Sequence, residues 1–167
     1  MSEKNLSEKD KKGYIQNVLW KLDSYLHKND YSSAEKYLLS VLRESADNSV
    51  SLAVMNELMG LYRKLGNREK AVFYAESAMK KIDEMGAARR VGSATVYLNC
   101  ATVYKAFGMA EKSVPLFLKA EDIYSENLSP DDIMWGGLYN NMALAYVDLK
   151  DFEKSRSLYL KAIRIML

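Results

Sequence analysis

Tyr97-Leu-Asn-Cys-Ala-Thr-Val-Tyr104, followed by Phe107-Gly-Met-Ala-Glu-Lys-Ser113, Phe117 and Ala120, is the stretch that decides the fold, because it recurs. Forty-two residues later the chain reads Tyr139-Asn-Asn-Met-Ala-Leu-Ala-Tyr146, Leu149-Lys-Asp-Phe-Glu-Lys-Ser155, Tyr159 and Ala162. Forty-two residues earlier it reads Met55-Asn-Glu-Leu-Met-Gly-Leu-Tyr62, Leu65-Gly-Asn-Arg-Glu-Lys-Ala71 and Ala78. A looser copy, Tyr25-Leu-His-Lys-Asn-Asp-Tyr-Ser-Ser-Ala34, precedes these three. Gly66, Gly108 and Lys150 hold equivalent places, as do Tyr62, Tyr104 and Tyr146. A fixed period of this length means stacked supersecondary units, none of which can bury its apolar face alone.

Composition agrees with a helical array. The chain has 167 residues, 49% of them hydrophobic and 28% charged, with only 2 prolines and 8 glycines. That is too few turn-formers for an all-β sandwich. Lys and Arg total 24 against 22 Asp and Glu, and neither half of the chain is a basic tail. Nothing therefore points to nucleic acid or to a polybasic membrane anchor. One cysteine and one histidine exclude a disulfide framework and argue against an all-protein zinc site. Met1 to Lys12 is charged and carries no apolar run, so it reads neither as a signal peptide nor as a membrane span. A cytoplasmic location is the default. No nucleophile–base pair, metal cluster or phosphate loop appears, so the expectation is a protein that is not an enzyme and needs no cofactor.

Each copy resembles a tetratricopeptide repeat, two antiparallel helices joined by a tight turn. Small, aromatic, turn, small, aromatic and small residues follow in the same order three times. The usual repeat has about 34 residues, and the extra length adds about two helical turns per unit. A 42-residue period resembles the kinesin light chain type, and Leu138 to Tyr146 and Pro115 match that subtype's pattern. Ser113, Ser155 and Ala75 depart from it. The resemblance implies an all-α fold, a right-handed α-α superhelix of about four helix pairs. The expected organisation is a charged segment over 1–12 and a repeat domain over 13–167, divided at about 13–47, 48–86, 88–128 and 131–167. Eight helices are expected over 7–28, 31–45, 48–65, 67–85, 88–107, 109–127, 131–149 and 151–167.

Side-chain periodicity then assigns faces. At 100° per residue, Tyr97, Ala101 and Tyr104 fall within about 60° of one another and form the packing stripe. Ala71, Ser113 and Ser155 let helix backbones approach closely. Gly66 and Gly108 end their helices in the left-handed region. Ser129 reads as an N-cap, with Pro130 at the first helical position. Pro115, past the first turn of its helix, removes one backbone hydrogen bond and should bend that helix. Cys100 and the methionines read as core, Trp135 as packing and His27 as surface. Trp20 stands on the open face in the loose first copy, or is buried if that alignment shifts by one residue; packing is the favoured reading.

The open face is where binding is expected. Glu57, Gly60, Asn99, Thr102, Asn141 and their neighbours lie about 140–200° from the packing stripe. Stacking aligns such residues along a concave wall. Asn99 and Asn141 are 42 residues apart, and an amide can donate to a carbonyl and accept from an N–H at once. By resemblance, asparagines on this helix of kinesin light chain-type repeats bind peptide backbone, a role carried to Asn99 and Asn141 with Asn140 and Asn56 at the groove edge. Arg63, Lys105 and Thr102 complete the candidate peptide-binding set. Glu57, Leu144 and Asp148 intrude on the carboxylate clamp of chaperone-binding repeats, so that clamp is not expected. The implied partner is a protein or peptide. The alternative is a structural or self-association module, a fragment of a larger assembly or regulator, that packs through its last helix, which ends Ile163-Arg-Ile-Met-Leu167. Replacing Asn99 and Asn141 by alanine is expected to weaken binding and leave thermal stability nearly intact.

Overall fold

The computed structural model describes residues 7–167. Eight helices follow in order: α1 (Glu8–Leu26), α2 (Tyr31–Glu44), α3 (Asn48–Lys64), α4 (Arg68–Glu84), α5 (Val91–Ala106), α6 (Ala110–Asn127), α7 (Met134–Asp148) and α8 (Phe152–Met166). No strand occurs among the described residues. The first half of the charged segment, residues 1–6, lies outside them; Glu8 to Lys12 belongs to α1.

The turn inside each pair is built the same way four times, and it explains the 42-residue columns. The residue that leaves the first helix adopts positive φ: Asn29 at 54°, Gly66 at 71°, Gly108 at 74° and Lys150 at 62°. The next residue's N–H then reaches back to a tyrosine carbonyl, from Asp30 to Tyr25, Asn67 to Tyr62, Met109 to Tyr104 and Asp151 to Tyr146, each at 2.9 Å. This is the long bond of a Schellman motif, which satisfies carbonyls that the helix end leaves unpaired. The same residue starts the second helix. Asp30, Asn67 and Asp151 accept from the N–H three residues on, at 3.0–3.1 Å. Met109 stands in that column without a side chain able to cap, and α6 begins without a cap bond.

Two helices start later than expected. α5 begins at Val91, because Gly86, with φ of 59°, and a turn over the following residues carry the chain across to it. α7 begins at Met134: Ser129 is not its cap. Asp132 turns back to the Ser129 carbonyl at 3.1 Å, and its own carboxylate accepts from the Met134 N–H at 2.9 Å. Pro115 sits inside α6 on its exposed side, where the lost backbone donor faces water.

Packing is between chain neighbours, as a solenoid requires. Successive helices pack together throughout, and the first helices also touch across repeats, α1 on α3, α3 on α5 and α5 on α7. The second helices make no such contacts among the described residues. The first helices therefore converge on the inner side of the curve and line its concave face. Tyr97, Ala101 and Tyr104 are buried, as are Ala71, Ser113 and Ser155 at the close helix crossings. Lys70, Lys112 and Lys154 stand over the rings of Tyr62, Tyr104 and Tyr146 at 4.8, 5.9 and 4.6 Å from their centroids, a further 42-residue column. Cys100 is buried, and burial pushes its thiol up to about 12, which leaves it protonated and unreactive. Trp135 packs edge-on against Tyr124 and stacks on Tyr139, with Nε1–H donating to the Ser129 carbonyl at 2.9 Å.

Candidate functional site

Every residue of the expected binding set lies on a first helix, and of those on α3 and α5 the structure brings Asn56 and Asn99 together. Asn99 Nδ2 on α5 donates to Asn56 Oδ1 on α3 at 2.9 Å. Asn56 in turn donates through Nδ2 to Glu57 Oε1 at 3.2 Å. This chain of polar groups bridges two repeats on the inner face.

Asn99 and Asn141 do not join. Asn141 Nδ2 folds back to the Gly137 carbonyl of its own helix at 2.9 Å, and Thr102 Oγ1 likewise donates to the Leu98 carbonyl at 2.9 Å. The physical reason is register. Glu57, not Asn56, is the 42-residue equivalent of Asn99, so Asn99 reaches one residue off the column for an amide partner. Asn141 has only the carbonyl one turn back, left open beside a residue that carries no side chain. Each amide has two N–H donors and an acceptor oxygen. The side-chain oxygens of Asn99 and Asn141, and one N–H of each, accordingly have no hydrogen bond within the protein among the described residues. Asn140 and Arg63 are exposed, and Lys105 is half-buried. Because the Asn99–Asn56 bond links α3 to α5, Asn99→Ala carries a stability cost of its own, on the order of 0.5–1.5 kcal/mol.

The concave face also holds a cavity of about 450 Å³, lined by side chains from α1, α3 and α5 and by the turn between α4 and α5. Leu19, Leu52, Ala53 and Val96 supply apolar wall, while Asn56, Glu57 and Arg90 bring polar and charged groups to the lining. Leu19, Leu52, Val96 and Arg90 were not among the expected site residues. Their identity is ordinary for a helix or a loop, and only the approach of three helices makes them neighbours. Glu57 is half-buried, and burial pushes its carboxyl above the usual range, with the Asp23 charge on α1 adding to the effect and the Asn56 bond opposing it. Two small residues flank it: Ala53 one turn before, and Gly60 one turn after, where a Cβ would meet no heavy atom within 4 Å.

Trp20 corrects an expectation. It is 77% exposed, because α1 buries Val18 and Leu22 on its other side. The unshifted alignment of the first copy is the right one. His27 is exposed, with Nδ1 2.8 Å from the Asp23 carbonyl.

Comparison with known proteins bears on the fold. A family model for the tetratricopeptide repeat matches residues 137–165. Among solved structures the chain is similar to BtubC (BKLC) from P. vanneervenii, with a TM-score of 0.81 and 20% sequence identity. The match covers 90% of this chain and 61% of that one, so the chain spans about three-fifths of that relative's length. At this identity the likeness speaks to the fold alone. No curated protein matches the sequence. No helix among the described residues is long and apolar enough to cross a membrane.

Proposed function

We propose that this tetratricopeptide-repeat protein, whose helical-repeat fold is that of protein-interaction scaffolds, captures a peptide segment of another protein in its concave groove and does no chemistry on it. The observation that carries the reading is the inner face itself. A mostly apolar cavity of about 450 Å³ opens there, with Asn56 in its lining, and on the same set of helices the side-chain oxygens of Asn99 and Asn141 accept no hydrogen bond among the described residues. A ligand site of this kind combines apolar lining with a few fixed polar groups. Amides that both donate and accept can hold a peptide backbone whatever its side chains. Thr102 has committed its hydroxyl proton to its own helix and offers only its oxygen. Asn56, Asn140, Arg63 and Lys105 border the same face.

The test is an array of random-sequence 12-residue peptides probed with the wild-type protein and with the Asn99→Ala/Asn141→Ala double variant. Peptides retained by the wild type should bind the double variant roughly 5- to 150-fold more weakly, the equivalent of two hydrogen bonds of about 0.5–1.5 kcal/mol each. Thermal stability should fall by only the cost of the Asn99–Asn56 and Asn141–Gly137 bonds. Equal retention of every peptide by both proteins would rule out the amides as the holding groups.

The uncovered face of α8 favours a second reading, self-association. α4 and α6 each pack on the first helix that follows, whereas α8 packs on α7. The column that buries Ile82 and Tyr124 leaves Met166 66% exposed, beside exposed Leu160 and Ile163.

A further inference from the structure

The groove is not uniform along its length, and its α1–α3–α5 end has a chemistry of its own. At the position where later repeats carry Asn99 and Asn141, the second repeat carries Glu57. Among the described residues this carboxylate is in no ion pair, and its one hydrogen bond is from the Asn56 amide. It faces a cavity whose walls nearby are Leu19, Leu52, Ala53 and Val96. Asp23, close enough on α1 for its charge to act on Glu57, is exposed. One turn before Asp23, on the same face of α1, is the exposed indole of Trp20. A carboxylate held against apolar surface without a cation is costly unless something brings the cation.

Resting on the groove reading above, we infer that this end of the groove receives a lysine or arginine side chain of the bound peptide. Its aliphatic stem lies along Leu19, Leu52 and Val96, and its cation meets Glu57 between the small residues Ala53 and Gly60. The match is one of charge and shape together. Long basic side chains bury their methylenes on apolar walls while the head group seeks an anion. Asp23 adds a second negative charge at the mouth, and an exposed indole face beside it favours a cation further. Arg90, another residue of the lining, disfavours a second basic residue there. The cavity exceeds what one stem needs, which leaves room for a neighbouring residue of the peptide.

The experiment uses the same array of random 12-residue peptides and the full chain. Retained sequences should carry Lys or Arg at one fixed position. A fluorescent copy of the best binder and its analogue with that residue replaced by norleucine, which keeps the stem and removes the charge, are then titrated. The wild type should prefer the basic peptide by about tenfold or more, the scale of a charged hydrogen bond. Glu57→Gln should abolish the preference and Glu57→Asp should keep part of it, with helix content unchanged by circular dichroism. Should Glu57→Gln fail to fold, Asp23→Asn, on the exposed surface, should still cut the preference about threefold. Peptides retained without a fixed basic residue would overturn the inference and leave the groove reading standing. So would a preference that survives in Glu57→Gln or, where that variant does not fold, in Asp23→Asn. An array that retains no peptide would overturn both.

Discussion

At residue scale the repeat reveals its logic where one copy departs from the others. Asn67, Met109 and Asp151 occupy one place in the turn, and each sends its N–H to a tyrosine carbonyl at 2.9 Å. Only the asparagine and the aspartate also cap the helix that follows, at 3.0 and 3.1 Å. Met109→Asn therefore should add the missing cap. The expected gain is about 1 kcal/mol, or roughly 2–4 °C in melting temperature for a chain of this size. Thermal denaturation of the variant beside the wild type checks it; an unchanged or lower midpoint would mean that Met109 packs for more than a cap is worth. The column was legible in the sequence, but its meaning was not: nothing in the residue names distinguishes a capping place from a merely polar one. Lys150 is a parallel case. It equates with Gly66 and Gly108, and the structure holds it at φ of 62°, a conformation that costs a side-chain-bearing residue about 1–2 kcal/mol. Here position in the turn overrides residue preference.

At the scale of elements, one polar contact ties three helices. Glu35 on α2 accepts from the Tyr62 hydroxyl on α3 at 2.6 Å and from Lys70 on α4 at 2.8 Å. The Lys70 bond first, and then the Tyr62 bond, hold the Glu35 carboxyl below its ordinary value of 4.5. Burial first, and then the bond to Glu35, push the Tyr62 hydroxyl up to about 12. A carboxylate depressed on folding stabilises the protein fully above its unfolded value, and that contribution disappears as pH falls through the folded value. Stability should thus decline below about pH 4.5. In Glu35→Gln this part of the decline should be absent, while the stability at pH 7 is lower by about 0.5–1.5 kcal/mol. Urea denaturation of both proteins between pH 3 and 7 measures the difference, and parallel curves would refute the assignment. The sequence named the Tyr62 column as packing; the acid that meets it comes from the preceding repeat and carries no mark of its own.

The whole molecule raises the question of what covers α8. Its outward face carries Leu160, Ile163 and Met166, all exposed, and Met166 stands in the column that buries Ile82 on α4 and Tyr124 on α6. If two copies meet there, sedimentation velocity should show a dimer whose population grows with concentration. Ile163→Lys/Met166→Lys should return it to monomer without loss of helix. A wild type that sediments as a monomer at all concentrations would discard that reading and leave the groove as the binding surface.

The sequence by itself determined the architecture. Repeating small and aromatic positions at a fixed spacing can be satisfied only by stacked helix pairs, since each unit is too small to bury its own stripe. The ends of α3 and α5 followed from Gly66 and Gly108 in the turns, whereas the starts of α5 and α7 depend on how the intervening loops cross between pairs. It also marked the inner face, and with it Asn99, Asn141 and the intruding Glu57. Only the tertiary structure decided what those residues do to one another. Asn99 pairs with Asn56 rather than lining up with Asn141, Trp20 stands in solvent, and three helices and a loop line a cavity beside a carboxylate that is in no ion pair among the described residues. Local periodicity says which way a side chain points. It does not say how far away the next helix lies, and hydrogen bonds, cavities and displaced charge all depend on that distance.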